Sequence, residues 1–244
     1  MDRGFFLNGE WQMRTSADRF DILNPATGEA EGSTLMADGA VVDEAVGHAE
    51  RVAREFADMP ADARATILNK TADLMEQRVD EMSRLLTREQ GKPVYDNTKE
   101  ILFGAEVLRY YAAEAVRMHG SLRVSASPHI KNIVSYHPVG VTAAIVPWNY
   151  PIDLYCWKIG PAIATGCPMI VKPPHETPLA ITMLVDCLHE AGVPAGALAD
   201  LPGLGPVAGS ALARHPRIRM TSATASIAAG QDIIRNAAGN LKRF

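Results

Sequence analysis

The chain has 244 residues, 47% of them hydrophobic and 21% charged, with 24 basic and 28 acidic side chains and a formal net charge of -4. That length can bury a core without metal or disulfide support, and the composition excludes a disordered tail, a fibre or a mini-protein. No bulk positive charge favours nucleic acid, no apolar stretch approaches the roughly 20 residues that span a bilayer, and three cysteines without a CxxC spacing argue against a disulfide or zinc scaffold. A cytoplasmic, reducing location is expected, with neither nucleic-acid nor membrane partners.

The opening segment consists of short apolar pieces broken at Asn8-Gly9, Asn24-Pro25 and Thr27-Gly28, which predicts small strands or hairpins lying on a larger body. From Val41 the period becomes helical through Ala45, Ala49, Val52 and Phe56, with Asp38 as its expected cap. A second helix carries Ile67, Leu68, Leu74 and Met75, with Asp62 as a candidate cap. A third runs over Val79 to Gln90 until Gly91-Lys92-Pro93 stops it. A longer helix follows with Ile101, Leu102, Ala105, Leu108, Ala112 and Ala115 on one face, and Tyr110 and Tyr111 read as packing groups.

After Gly120 the pattern becomes extended over Lys131 to Tyr136, and the apolar run Val141 to Val146 predicts a buried strand of a parallel sheet. Helices over Leu154 to Ala164 and Pro178 to Ala191 alternate with strands around Met169 to Lys172 and Ala197 to Leu201, which is βαβ grammar. Gly203 to Gly209 opens a helix ending near His215. A weak strand at Ile218 to Thr221 and a helix from Ile227 to Ala238 complete the pattern, leaving Asn240 to Phe244 without an evident partner.

Ligands of such sheets gather where the strands end, so Pro147-Trp148-Asn149-Tyr150-Pro151 stands out. The Asn149 amide can donate to an oxygen gaining negative charge while prolines stiffen the turn; a rigid structural turn is the competing reading. Lys172 ends a strand and can meet ligand hydroxyls or phosphate, with His175 beside the same pocket and Glu176 read as a helix-start charge. Gly203, Gly205 and Gly209 permit close backbone approach or mark a plain loop-to-helix transition; GLGPVAG is not GxGxxG. A thiolate near Asn149 could carry acyl chemistry, but Cys156, Cys167 and Cys187 lie in apolar or turn contexts that favour packing.

The ordered series Val146-Pro147-Trp148-Asn149-Tyr150-Pro151, Trp157-Lys158-Ile159-Gly160-Pro161-Ala162 and Val171-Lys172-Pro173 resembles the NAD(P)-dependent aldehyde dehydrogenase superfamily. Asn24 to Glu29, Glu190 to Pro194 and Gly203 to Gly209 extend the resemblance over essentially the whole chain. It implies an α/β fold with a Rossmann-type parallel sheet and amino-terminal helices and hairpins. The implied parts are amino-terminal hairpins and helices at 1–120 packing on the cofactor domain, a bridging or oligomerisation hairpin at 121–139, and an incomplete NAD(P)-binding domain at 140–244.

In that family a thiolate attacks an aldehyde, hydride passes to nicotinamide, and water hydrolyses the thioester to a carboxylic acid. The resemblance assigns Asn149 to the oxyanion, Pro147 and Trp148 to the wall beside the dinucleotide, and Lys172 to the adenosine ribose. It places Gly205 and Gly209 at the adenine side and Ser226 beside the phosphates, and implies NAD or NADP as cofactor with no metal. His175 occupies the place of the family's usual Glu, which brings NADP into consideration, and Ala223-Thr224-Ala225-Ser226 replaces Phe-Thr-Gly-Ser. Fully burying the lost Phe would make that exchange cost about 3–5 kcal/mol.

The family's catalytic glutamate and cysteine fall beyond Phe244, and the carboxyl-terminal catalytic domain is absent from the resemblance. The expectation is therefore a truncated, inactive form of an oxidoreductase. The alternatives are a noncatalytic dinucleotide-binding remnant or one chain of a split enzyme, with a homo-oligomer or a separate carboxyl-terminal chain as partner and a small aldehyde as the complete enzyme's substrate.

Overall fold

The apolar run beginning at Val141 becomes an inner strand of a six-stranded sheet in a computed structural model describing residues 1–15 and 17–244. In chain order the strands are β1 (Asp2–Arg3), β2 (Phe5–Leu7), β3 (Glu10–Gln12), β4 (Arg19–Leu23), β5 (Ala30–Leu35), β6 (Ser121–Val124), β7 (Lys131–Val134), β8 (Thr142–Ile145), β9 (Met169–Lys172), β10 (Leu198–Asp200) and β11 (Met220–Ala223). The large sheet has the order β11-β8-β9-β10-β2-β3. Its first four strands are parallel, whereas β2 pairs antiparallel with β10 and with β3.

That register makes the contact closer than the expected hairpins lying on a larger body, because β2 and β3 extend the main sheet itself. Asn8 and Gly9 both have positive φ, 52° and 86°, which supplies the tight turn this hairpin needs. Phe5 and Leu7 are completely buried. Three consecutive apolar residues, Phe5, Phe6 and Leu7, let β2 bury both faces at that position, so burial determines the partner where the turn pair alone does not.

Helices α1 (Gly39–Asp58), α2 (Ala61–Gln77), α3 (Val79–Gln90), α4 (Val94–Arg117), α5 (Pro151–Thr165), α6 (Leu179–Ala191), α7 (Ser210–Arg214) and α8 (Ile227–Ala237) surround the sheet. Side-chain alternation along the strands divides the core. Ala143 and Ile170 join Val42, Val46 and Leu212 on the side of α1 and α7. Ala144 and Val171 join Tyr155, Leu184, Leu108 and Met75 on the side of α5 and α6, with α2 and α4 packed outside. Gly160 lets α4 approach α5 closely, since a Cβ there would lie 2.7 Å from the Tyr111 ring.

Asp38 caps α1 as expected, its Oδ1 accepting from the amides of Ala40 and Val41 at 3.0 Å. Asp62 does not cap α2: Pro60 occupies that position, and Asp62 sits in the first turn, where charge favours the helix dipole. The weak strand begins at Met220 rather than Ile218. The final residues also find a partner, because the Thr221 amide donates to Arg243 O at 2.9 Å and the Arg243 amide donates to Arg219 O at 3.1 Å. Tyr111 is half-buried, whereas Tyr110 is 54% exposed and packs at the surface, edge-on against the Tyr111 ring at 5.2 Å. The hairpin of β6 and β7 stands apart as a two-stranded sheet with Val124 exposed. Among the described residues, no helix is long and apolar enough to cross a membrane.

Candidate functional site

Parallel pairing places the carboxyl ends of β11, β8 and β9 side by side. Ile145 is opposite Lys172 on one flank and Ala223 on the other. The pairing continues past the strands, with the Val146 amide donating to Lys172 O and the Thr224 amide donating to Ile145 O, both at 3.1 Å. Three loops therefore leave one edge together: Asn149 follows β8, Lys172 and His175 end and follow β9, and Ser226 follows β11. In an open α/β sheet this is the edge where ligands bind.

Pro151 starts α5, where its missing N–H is no loss, and Pro147 stands at the other end of the loop. Between them Trp148, Asn149 and Tyr150 are exposed. The backbone carbonyls of Trp148 and Asn149 are anchored by Gln90 Nε2 at 2.8 and 2.9 Å. Lys92 Nζ lies 4.1 Å from the centroid of the Tyr150 ring.

Lys172 is 4% exposed, and its Nζ donates to Pro173 O at 2.6 Å and Gly203 O at 3.2 Å. Burial pulls its pKa down to about 8, with Glu176 and Asp200 opposing that shift. An ammonium has three donors, so one remains for a ligand hydroxyl. Gly209 lies against this side chain: a Cβ on it would sit 3.7 Å from Lys172 Cδ. A Cβ on Gly205 would meet nothing within 4 Å, leaving open backbone beside the same edge. Gly205 to Gly209 form one π-helical turn leading into α7.

Ser226 is the N-cap of α8, its Oγ accepting from the Ala229 amide at 3.3 Å. His175 Nδ1 lies 3.1 Å from Glu176 Oε2, and its ring meets Phe20 edge-on at 5.3 Å. Ala223 is half-buried beside the small cluster of Ile145, Ala213 and Ile233. The fully buried condition for the large Phe-to-Ala cost is therefore not met at this position.

All three cysteines are buried free thiols. Burial pushes the Cys156 thiol far up and Cys187 up to about 11, so neither supplies thiolate at neutral pH. Their packing reading holds. A cavity of about 710 Å³ lies at the opposite end of the strands, against Thr142, Met169 and Met220, and contains none of the candidate site residues.

A family model described as the aldehyde dehydrogenase family matches residues 11–244. The chain belongs to the aldehyde dehydrogenase family. It is 34% identical over 238 residues to glutarate-semialdehyde dehydrogenase of Pseudomonas putida, a match covering 98% of this chain and 50% of that protein. It is also 34% identical over 237 residues to the NADP(+) succinate-semialdehyde dehydrogenase of Escherichia coli, covering 97% and 49% of the two chains. The crystal structure of PnpE from Pseudomonas sp. WBC-3 superposes with a TM-score of 0.95 at 32% identity, covering 100% of this chain and 50% of that one. A further PnpE structure, in complex with nicotinamide adenine dinucleotide, gives a TM-score of 0.96. This aldehyde dehydrogenase family chain thus spans about half the length of the relatives it matches.

Sequence reading identified the three loops but missed what holds them. Gln90, Lys92, Glu89 and Glu100 all touch the loops or the helices that follow, yet Gly91-Lys92-Pro93 read only as a helix stop. The buried Tyr155–Asp200 hydrogen bond of 3.2 Å was likewise invisible, since its partners are 45 residues apart.

Proposed function

We propose that this chain provides the NAD(P)-binding part and the oxyanion donor of an aldehyde dehydrogenase, the complete enzyme oxidising an aldehyde to a carboxylic acid. The observation that carries the reading is the convergence of Asn149, Lys172 and Ser226 on three adjacent parallel strand ends, with open backbone at Gly205. The residues present fit a dinucleotide there. A bound nicotinamide would supply the hydride acceptor. Asn149 donates its side-chain amide to the oxygen that gains charge, Pro147 and Trp148 wall the nicotinamide side, and the free Lys172 N–H donates to a ribose hydroxyl. His175 borders the ribose and the first turn of α8 at Ser226 faces phosphate.

The isolated 244-residue chain does not itself oxidise aldehydes in this reading, because its three thiols are buried and none sits as an activated nucleophile. Calorimetric titration with NAD and NADP tests the binding role; no binding of either at millimolar concentration overturns it. Aldehyde-dependent NAD(P)H formation by the mass-verified chain, abolished in Asn149→Ala, would overturn the inactive assignment.

A further inference from the structure

The last turn of α3 and the two residues after it reach two of the three loops of the candidate site, those after β8 and β9. Glu89 is 4% exposed, and its Oε2 and Oε1 accept from the amides of Leu179 and Ala180 at 2.7 and 2.8 Å. These are the opening amides of α6, the helix that follows the Lys172 loop. Pro178 stands at the cap position of α6 and has no side-chain acceptor, so the cap comes from a helix 90 residues away in the chain.

Gln90, the next residue, donates to the carbonyls of Trp148 and Asn149. Gly91 then takes a left-handed φ of 85°, which turns the chain and ends the helix. Beyond it Lys92 pairs with the buried Glu100, and Glu100 Oε1 accepts from the Ile152 amide at 2.9 Å at the start of α5. The starts of α5 and α6 are therefore each capped by a side-chain carboxyl group from another helix, Glu100 of α4 and Glu89 of α3.

We propose that residues 89–92 form a positioning clamp: Glu89 fixes the Lys172 loop through α6, while Gln90 and Lys92 fix the Asn149 loop, so one rigid turn sets these two loops of the site relative to each other. The proposal rests on the nucleotide-binding reading for its functional consequence, but not for its geometry. None of the three side chains, Glu89, Gln90 and Lys92, needs to touch the nucleotide. The cost of losing one is borne by preorganisation, since backbone carbonyls or helix-start amides lose their partners.

Gln90→Met retains length and helix propensity while removing both donors; Glu89→Gln is isosteric but turns an amide N–H toward one helix amide. Hydrogen–deuterium exchange on the intact chain should speed by about tenfold at 148–154 in Gln90→Met and at 178–182 in Glu89→Gln, with exchange over 61–77 unchanged. Titration with NAD and NADP should show affinity weakened by about fivefold or more in either variant. Unchanged exchange at both loops, or a uniform rise along the chain, overturns the clamp. So does unchanged nucleotide affinity once a loop has loosened. If the unaltered chain binds neither nucleotide, the functional reading fails by itself, and the exchange pattern still decides the clamp.

Discussion

Lys172 Nζ and the carbonyl of Gly203 meet at 3.2 Å across 31 residues of chain, tying the end of β9 to the loop that opens toward α7. The contact joins Lys172 to the glycine segment in one buried unit. It also explains why this cation is held at such low exposure: carbonyl oxygens stand in for the water it has lost.

Lys172→Met should weaken NAD and NADP binding by about tenfold, the worth of one charged-donor hydrogen bond. A pH effect accompanies it. The folded pKa of about 8 lies below the ordinary 10.5, so between those values the unfolded chain binds the extra proton and stability rises with pH. Urea unfolding from pH 7.5 to 10.5 should show this rise in the parent, on the order of 2–3 kcal/mol, and its loss in the variant.

Asp200 carries the opposite slope. Burial raises its pKa from 3.8 to about 8, and Tyr155 donates to only one of its oxygens, leaving Oδ2 unpartnered. The folded state therefore holds the proton between pH 3.8 and about 8, and stability falls as pH rises through that window. Asp200→Asn keeps an acceptor for Tyr155 and removes the ionisation, so unfolding above pH 8 should show it more stable than the parent, by about 1–3 kcal/mol, with little difference at acid pH.

Glu176 places a half-exposed carboxylate 3.1 Å from His175 on the loop after β9. In the proposed binding role, that charge would oppose an added ribose phosphate. Exchanging Glu176 for Gln should raise the NADP-to-NAD affinity ratio by about fivefold at low salt, an effect that shrinks as ionic strength increases. An unchanged ratio in paired titrations would place the carboxylate away from the ribose.

Gly205→Ala separates folding from binding. The new methyl meets no atom within 4 Å, and Gly205 is not among the positive-φ glycines, so the melting temperature should hold or rise slightly. Nucleotide affinity should nevertheless fall, because the methyl projects from backbone that the ligand approaches. Equal affinity with an unchanged melting temperature would remove Gly205 from the site.

Local pattern carried much of this protein. The strand Met169–Lys172 and the helix Val79–Gln90 have the bounds their sequence predicts, because alternation, periodicity and the Gly91 stop act over a few residues. The loop Pro147–Pro151 and the series around it were enough to mark the family and the strand-end position of Asn149 and Lys172. Burial of both faces of β2 was different: only packing reveals that Phe5–Leu7 belongs to the main sheet. Met220–Ala223 shifted from its expected place because the partner strand β8, rather than local composition, sets its register. What tertiary structure alone decided was the company each functional residue keeps. Burial lowers the Lys172 pKa, Gln90 holds Asn149 from a helix in the outer layer, and Glu89 caps α6 across 90 residues. Hydrogen bonds and desolvation act between neighbours in space, and at those separations the linear sequence does not say who the neighbours are.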